Sequence, residues 1–275
     1  MRVLIGGGSG FVGRELIRLL RDKGHEVTLI SRQPGPGRIT WKELESHGLP
    51  PCDGAVNLAG ENVLNPLRWW NESYKKDLFS SRIDTTKALS QAIAASSSPP
   101  HAWVLVSGVA CYKPSLTVEY TEDSEWTPFD LLSQLVKEWE AAAFLPENAA
   151  KTTKQVVIRA GAVLGRDGGA MKQMLLPFWL GLGGNTEPPP PLPQVYNGVA
   201  PAITTNHEFT KELGRILRRP TIFPVPEFVL NAMLGSERAV ILTQGQKVIP
   251  LKTLESGYQF KYPDLTLALK QIVGS

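Results

Sequence analysis

Met1–Arg32 reads MRVLIGGGSGFVGRELIRLLRDKGHEVTLISR, the order of residue types of a strand, a glycine turn, a helix and a second strand. Arg2–Ile5 supplies the first strand, and Gly7, Gly10 and Gly13 fall at GxxGxxG spacing where the helix opens. A turn without β-carbons lets backbone N–H groups approach a pyrophosphate, and the helix N-terminus adds a partial positive charge. The expected ligand is a dinucleotide, held at Gly7, Gly10, Phe11, Val12 and Gly13. The plainer alternative is a glycine turn that only caps the helix.

Phe11, Val12, Leu16, Ile17, Leu19 and Leu20 recur at helical spacing, while Arg14, Glu15, Arg18, Arg21 and Asp22 fill the other face. Gly24 is the expected left-handed stop. His25–Ile30 forms the second strand and ends in Ser31-Arg32, where no carboxylate stands. An acid there would accept bonds from the adenosine ribose 2′-OH and repel a 2′-phosphate, whereas serine and arginine can bind that phosphate. The expected cofactor is NADP rather than NAD; a solvated Arg32 is the alternative.

Apolar β-rich runs recur at Gly54–Leu58, Trp103–Ser107 and Gln155–Arg159, each followed by a plausible helix. This is the rhythm of an α/β fold with a doubly wound parallel sheet. Long helical reaches run from about Trp69 to Ala95 and from about Phe129 to Phe144, to cover the sheet or form a dimer seam. Composition changes at Gly181–Gln194, where Pro188–Pro191 and Pro193 rule out helix interior and central strand. That run reads as an extended joint or spacer, with a ligand for a proline-binding domain as the alternative. Helices are predicted at Asn206–Leu217, Pro226–Leu234 and Asp264–Ile272. The division is a cofactor domain at 1–184, a joint at 185–194 and a small mixed C-terminal lobe at 195–275.

The net charge of +3 over 275 residues is small and its lysines and arginines are dispersed, which argues against nucleic acid or an anionic membrane as partner. Cys52 and Cys111 lie far apart without a metal-ligand pattern, as suits a reducing compartment. The first strand begins almost at Met1, with no room for a signal or transit segment, and the apolar stretch Met174–Leu182 is too short to span a bilayer. An intracellular, cytoplasmic protein is expected.

Val56-Asn57-Leu58-Ala59-Gly60 ends a strand in small residues at the sheet edge where ligands gather. Together IGGGSGFVG, Ser31-Arg32, VNLAGEN, SSRIDTTKAL and WVLVSGVACY resemble the extended, atypical branch of the short-chain dehydrogenase/reductase superfamily. RAGAVLGRDGGAMKQMLLPFWLGLGG, GQKVIP and GYQFKYPDLTLAL are similar to later motifs of its vertebrate epimerase family, also described as cell-division-inhibitor homologues. The resemblance covers nearly the whole chain. It implies a Rossmann-type NADP-binding domain, with the glycine turn, Ser31, Arg32, Leu58 and Ala59 at the cofactor. Asp77, Arg82 and Ala160 join them on the same grounds; for Arg82 a helix-surface ion pair is the alternative. The resemblance also implies homodimerisation and a small hydroxyl- or carbonyl-bearing substrate of unknown identity.

Active members of that superfamily use a tyrosine and a lysine four residues apart, helped by a strand serine or threonine. Ser107 fills the strand position, but no tyrosine here has a lysine four residues later. The corresponding helix reads Asp130-Leu-Leu-Ser-Gln134-Leu-Val-Lys137. Tyr112, five residues past Ser107, is the substitute proton donor to consider, or else a packed loop tyrosine. Glu61, Asn62, Glu122 and Asp123 are further polar residues near the strand exits, and Lys137 reads as solvated. A catalytically silent NADP-binding regulator is the competing function. After Gly184 the chain passes through NTEPPPPLPQ straight to Val195-Tyr196-Asn197-Gly198, which looks like an internal deletion or splice variant relative to that family.

Overall fold

Arg2–Gly6 (β1) runs through the middle of a seven-stranded parallel sheet, which is why Val3, Leu4 and Ile5 are apolar in succession: a strand covered on both faces has no polar side. The computed structural model describes residues 1–63, 65, 68–165, 168–169, 194–219, 221, 235, 238 and 244–273. In chain order, α1 (Phe11–Asp22), β2 (Glu26–Ser31), β3 (Arg38–Thr40), α2 (Trp41–His47), β4 (Gly54–Asn57) and α3 (Glu72–Ala95) follow β1. Next come β5 (Ala102–Gly108), a 3₁₀ turn at Val109–Cys111, β6 (Glu119–Tyr120), α4 (Leu131–Ala142), α5 (Glu147–Ala150) and β7 (Lys154–Ala160). A hairpin of β8 (Leu164–Gly165) and β9 (Gly168–Gly169) precedes β10 (Gln194–Gly198). The rest comprises α6 (Asn206–Leu217), β11 (Lys247–Val248), α7 (Leu251–Glu255) and α8 (Leu265–Val273).

The sheet order is β10-β7-β5-β4-β1-β2-β3. The chain therefore winds outward from β1 in one direction and then in the other, and a crevice opens between the carboxyl ends of β1 and β4. On one face Val3, Ile5 and Ile17 pack with Leu29, Val56 and Leu58 beneath α1. On the other, Leu4, Ile30, Leu44, Leu89, Ile93, Trp103, Leu105 and Trp139 form the large core under α2, α3 and α4. The fold is the expected Rossmann-type α/β sheet.

The first helix stops as its sequence dictates. Gly24 takes φ +76°, its N–H donates to the Arg21 carbonyl at 2.9 Å, and His25 N–H reaches back to Leu20 at 3.0 Å. Only a residue without a β-carbon adopts that turn cheaply.

Gln194–Gly198 pairs in parallel with β7 from Gln194↔Val156 to Gly198↔Ala160, so it supplies the edge strand of the main sheet. A five-residue strand with a buried Asn197 carries too little alternation to stand out in sequence. On leaving β7 the chain turns into the β8–β9 hairpin, and beyond Gly169 the stretch where the helix expected after Gln155–Arg159 would fall lies outside the described residues. The proline run, Met174–Leu182 and the helix expected at Pro226–Leu234 lie outside the described residues.

Beyond β10, α6 packs on α8 through Phe209 and Leu269, backed by Leu213, Ile216, Leu265 and Ile272. The strand β11 pairs with β6, and Asn197 Nδ2 donates to the Ile249 carbonyl at 3.0 Å, so the C-terminal segment is stitched to the sheet edge.

Candidate cofactor crevice and the polar network beside it

The two segments expected at a cofactor meet. Gly7 sits at φ +75°, and a β-carbon there would lie 2.5 Å from the Leu58 carbonyl carbon and 2.6 Å from Ala59 N. A β-carbon on Gly13 would lie 2.6 Å from the Gly7 oxygen, and Gly10 N–H donates to that oxygen at 3.0 Å. Leu58 N–H is held by the Gly6 carbonyl at 2.9 Å. The absence of these β-carbons closes the turn onto the Leu58–Ala59 backbone, while Gly10, in extended geometry, caps α1 without a side-chain acceptor. The first N–H groups of the helix stay available to an anion. Phe11 lies against Gly165, and Val12 is exposed.

Asn57 fixes the opposite wall. It is fully buried; its Oδ1 accepts from Ala59 N–H at 3.0 Å and its Nδ2 donates to Thr86 Oγ1 at 2.9 Å. Thr86 Oγ1 also accepts from Trp139 Nε1 at 3.0 Å, which ties the crevice wall to α3 and α4. In sequence Asn57 stands only as one letter of the VNLAGEN motif, with no role of its own. Its signal is an amide ending an apolar strand.

At the far end of β2, Ser31 Oγ accepts from Gln33 N–H at 3.1 Å and so closes a short turn around the exposed Arg32. Arg82 is only 8% exposed. Its Nη2 donates to the Glu61 carbonyl at 2.8 Å and its Nη1 to Leu78 at 3.1 Å, with the guanidinium over the Trp139 ring. Burial holds its pKa down at about 10. Gly60 makes room for it, since a β-carbon there would stand 2.9 Å from Arg82 Cζ. Arg82 thus braces the turn after β4 from behind, and the surface ion pair considered for it is not formed among the described residues. Asp77 is half-exposed and pairs with Arg68 at 2.8 Å. Ala160 ends β7 in register with Gly108, at the same carboxyl edge as the crevice.

The two catalytic candidates belong to a buried network. Ser107 Oγ donates to Glu140 Oε1 at 2.7 Å, and Arg159 grips the same carboxylate through Nε at 2.9 Å and Nη2 at 2.8 Å. Burial opposes the charge on Arg159, but the hydrogen bond and charge of Glu140 outweigh it and raise its pKa. Arg159 Nη1 donates to the Tyr112 hydroxyl at 3.0 Å, and that hydroxyl lies 2.9 Å from both the Thr121 carbonyl and Asn197 Oδ1. Tyr112 is fully buried, its ring stacked on Tyr120, and burial pushes its pKa up to about 12. The phenol is thus enclosed by Arg159, Thr121, Asn197 and Tyr120, the setting of the packed tyrosine that was the alternative to a proton donor. Glu122 is buried, accepting from Asn197 N–H at 2.9 Å and Lys252 N–H at 3.4 Å, while Asp123 pairs with Lys252. Lys137 is exposed. The Glu61 and Asn62 carbonyls accept from Arg82 and from the Tyr74 hydroxyl. Glu140 and Asn197 belong to none of the motifs that carry the resemblance and Arg159 is only the first letter of RAGAVLGRDGG, though a charged or amide side chain within an apolar strand is the available signal for Arg159 and Asn197.

Among the described residues no group of three or more His, Cys, Asp or Glu is gathered to hold a metal ion, and no helix is long and apolar enough to cross a membrane.

Residues 3–134 match the NAD-dependent epimerase/dehydratase family, and residues 225–272 match a domain of unknown function. The chain is 53% identical over 295 aligned positions to human epimerase family protein SDR39U1, covering 99% of this chain and 100% of that protein. It is 30% identical to epimerase family protein YfhF of Bacillus subtilis, with 99% and 98% covered. Among solved structures, that of human epimerase family protein SDR39U1 (isoform 2) with NADPH superposes with a TM-score of 0.91 at 51% identity, covering 100% of this chain and 99% of that one. A nucleoside-diphosphate sugar epimerase from Corynebacterium glutamicum, 24% identical with a TM-score of 0.70, covers 100% of this chain and 58% of that one and shares the fold.

Proposed function

The chain belongs to the epimerase family of the extended short-chain dehydrogenase/reductase superfamily, and from that premise we propose that it is an NADP(H)-dependent oxidoreductase or epimerase-like protein. The observation that carries the reading is the glycine turn pressed onto Leu58–Ala59, with Ser31-Arg32 in place of an acid at the end of β2. A β-carbon on Gly7 or Gly13 would force this turn apart, and the human relative's structure contains NADPH. The backbone of Gly7–Gly13 and the start of α1 would hold the pyrophosphate, Ser31 and Arg32 the 2′-phosphate, and Leu58, Ala59 and Ala160 the walls. Bound there, the nicotinamide supplies a hydride or accepts one.

Arg82 keeps the wall in place from behind, and Asp77 acts through Arg68 at the helix surface. Ser107 stands one residue from the carboxyl end of β5, in register with Arg159 and, through it, Asn197. Its hydrogen already points to Glu140, so it is set to accept from a substrate hydroxyl. A proton leaving that hydroxyl has no tyrosine–lysine pair to pass to. That absence, together with the enclosure of Tyr112, favours the second reading: an NADP-binding regulator without turnover.

Titration of the full chain with NADPH and NADH tests the cofactor. Tighter NADPH binding, with the preference lost in Arg32→Asp, is the expected result; equal affinities in the parent protein reject it. Substrate-dependent NADPH consumption that Ser107→Ala abolishes would select enzyme over silent binder.

In this reading the chain divides into a cofactor domain at 1–184, a proline-rich joint at 185–194 and a substrate-side lobe at 195–275, whose first residues lend β10 to the edge of the cofactor domain's sheet. An internal shortening near Gly184, as alternative splicing would produce, also belongs to it. In support, 295 aligned positions against a 275-residue chain leave at least 20 positions of the human relative facing a gap.

A further inference from the structure

We propose that Arg38, on the edge strand β3, is a second cation for the 2′-phosphate of NADP, acting with Arg32 to set the preference over NAD. The assignment rests on the cofactor reading above. Parallel register places Arg38 beside Leu29, Ile39 beside Ile30 and Thr40 beside Ser31. Register partners on neighbouring strands point to the same face, and successive residues to opposite faces. Ile30 and Ile39 enter the large core, so Leu29, Ser31 and Arg38 share the other face, where Leu29 packs with Ile17 of α1. The glycine turn lies against that face, since a β-carbon on Gly8 would meet Leu29 Cδ2 at 2.8 Å.

The connection between β2 and β3 keeps the two arginines together. Arg38 N–H donates to the Gly35 carbonyl at 3.0 Å, Leu29 N–H donates to Gly37 at 3.1 Å, and Gly37 takes φ +66°. The Arg38 side chain lies over Gly35, its Cδ 3.6 Å and Nε 3.9 Å from where a β-carbon would be. It therefore runs along the loop that continues from Ser31-Arg32, at the edge where the adenosine ribose would arrive.

The charge balance agrees. Arg2, Arg18, Arg68, Arg159 and Arg215 each pair with a carboxylate, whereas among the described residues no carboxylate pairs with Arg32 or Arg38. The acid nearest Arg38 in sequence, Glu43, has its carboxylate engaged by the N–H and hydroxyl of Thr40. A phosphate dianion arriving there meets two uncommitted guanidinium groups suited to paired N–H···O bonds. A bare ribose hydroxyl gains little from them.

The test compares the full chain with Arg38→Gln, and with Arg21→Gln on the outer side of α1 as control, by calorimetric titration. NADPH and NADH form one pair of probes, 2′,5′-ADP and 5′-AMP the other. The expected result is a dissociation constant about tenfold higher or more for NADPH and 2′,5′-ADP in Arg38→Gln, with NADH and 5′-AMP unchanged. Unaltered NADH binding also certifies that the variant is folded. Equal weakening of both dinucleotides, or no change in either, overturns the role of Arg38 while leaving the cofactor reading intact. A parent protein that binds NADH as tightly as NADPH overturns both.

Discussion

Removing the Tyr112 hydroxyl would leave Arg159 Nη1 and Asn197 Oδ1 without their common partner in the interior. A buried donor or acceptor stripped of its hydrogen bond costs about 1–3 kcal/mol. Tyr112→Phe is therefore expected to lower stability by that amount in urea unfolding, with NADPH affinity unchanged. A variant as stable as the parent would argue that the hydroxyl is free for other work. The glycine trio and Ser31-Arg32 could be read from the chain because their chemistry is local, with spacing and residue type carrying it. Tyr112 could not, since its enclosure depends on Asn197, 85 residues on. Arg82 shows the same limit: its neighbours on α3 suggest a surface pairing, and only the return of Gly60 above it reveals a buried brace.

At the level of elements, α6 begins in a reciprocal cap, with Thr205 Oγ1 accepting from Glu208 N–H at 3.2 Å and Glu208 turning back to Thr205 N–H at 2.6 Å. Loss of such a cap costs about 1 kcal/mol. Thr205→Ala should lower the midpoint of thermal unfolding by a few degrees, and an unmoved midpoint would mean that α6 is held by its packing on α8 alone. The helix was legible to its ends because amphipathic spacing runs its whole length. The pair β3–α2 was not, although Thr40 and Glu43 form the same kind of cap there, because three strand residues and seven helical ones are too few for periodicity to show. The strand β10, five residues long, escaped for the same reason.

For the whole molecule, the proposed internal shortening predicts a deficit in stability, since elements absent beside the substrate cleft leave apolar neighbours less covered. Inserting the human relative's intervening segment after Gly184 should raise the unfolding midpoint while leaving NADPH affinity within about twofold. A restored chain that melts at the same temperature or lower would remove the support for a deletion. The cofactor half is insulated from such changes by the order of its sheet. Starting from β1, the chain adds β2 and β3 outward on one side, then β4, β5, β7 and β10 outward on the other, so no strand inserts between two already paired. A nascent chain emerging N-terminus first can thus build the sheet purely by addition, each new strand annealing to the last free edge. The crevice residues are all in place by Ala160, well before β10 leaves the ribosome, so what is added last does not undo what was added first.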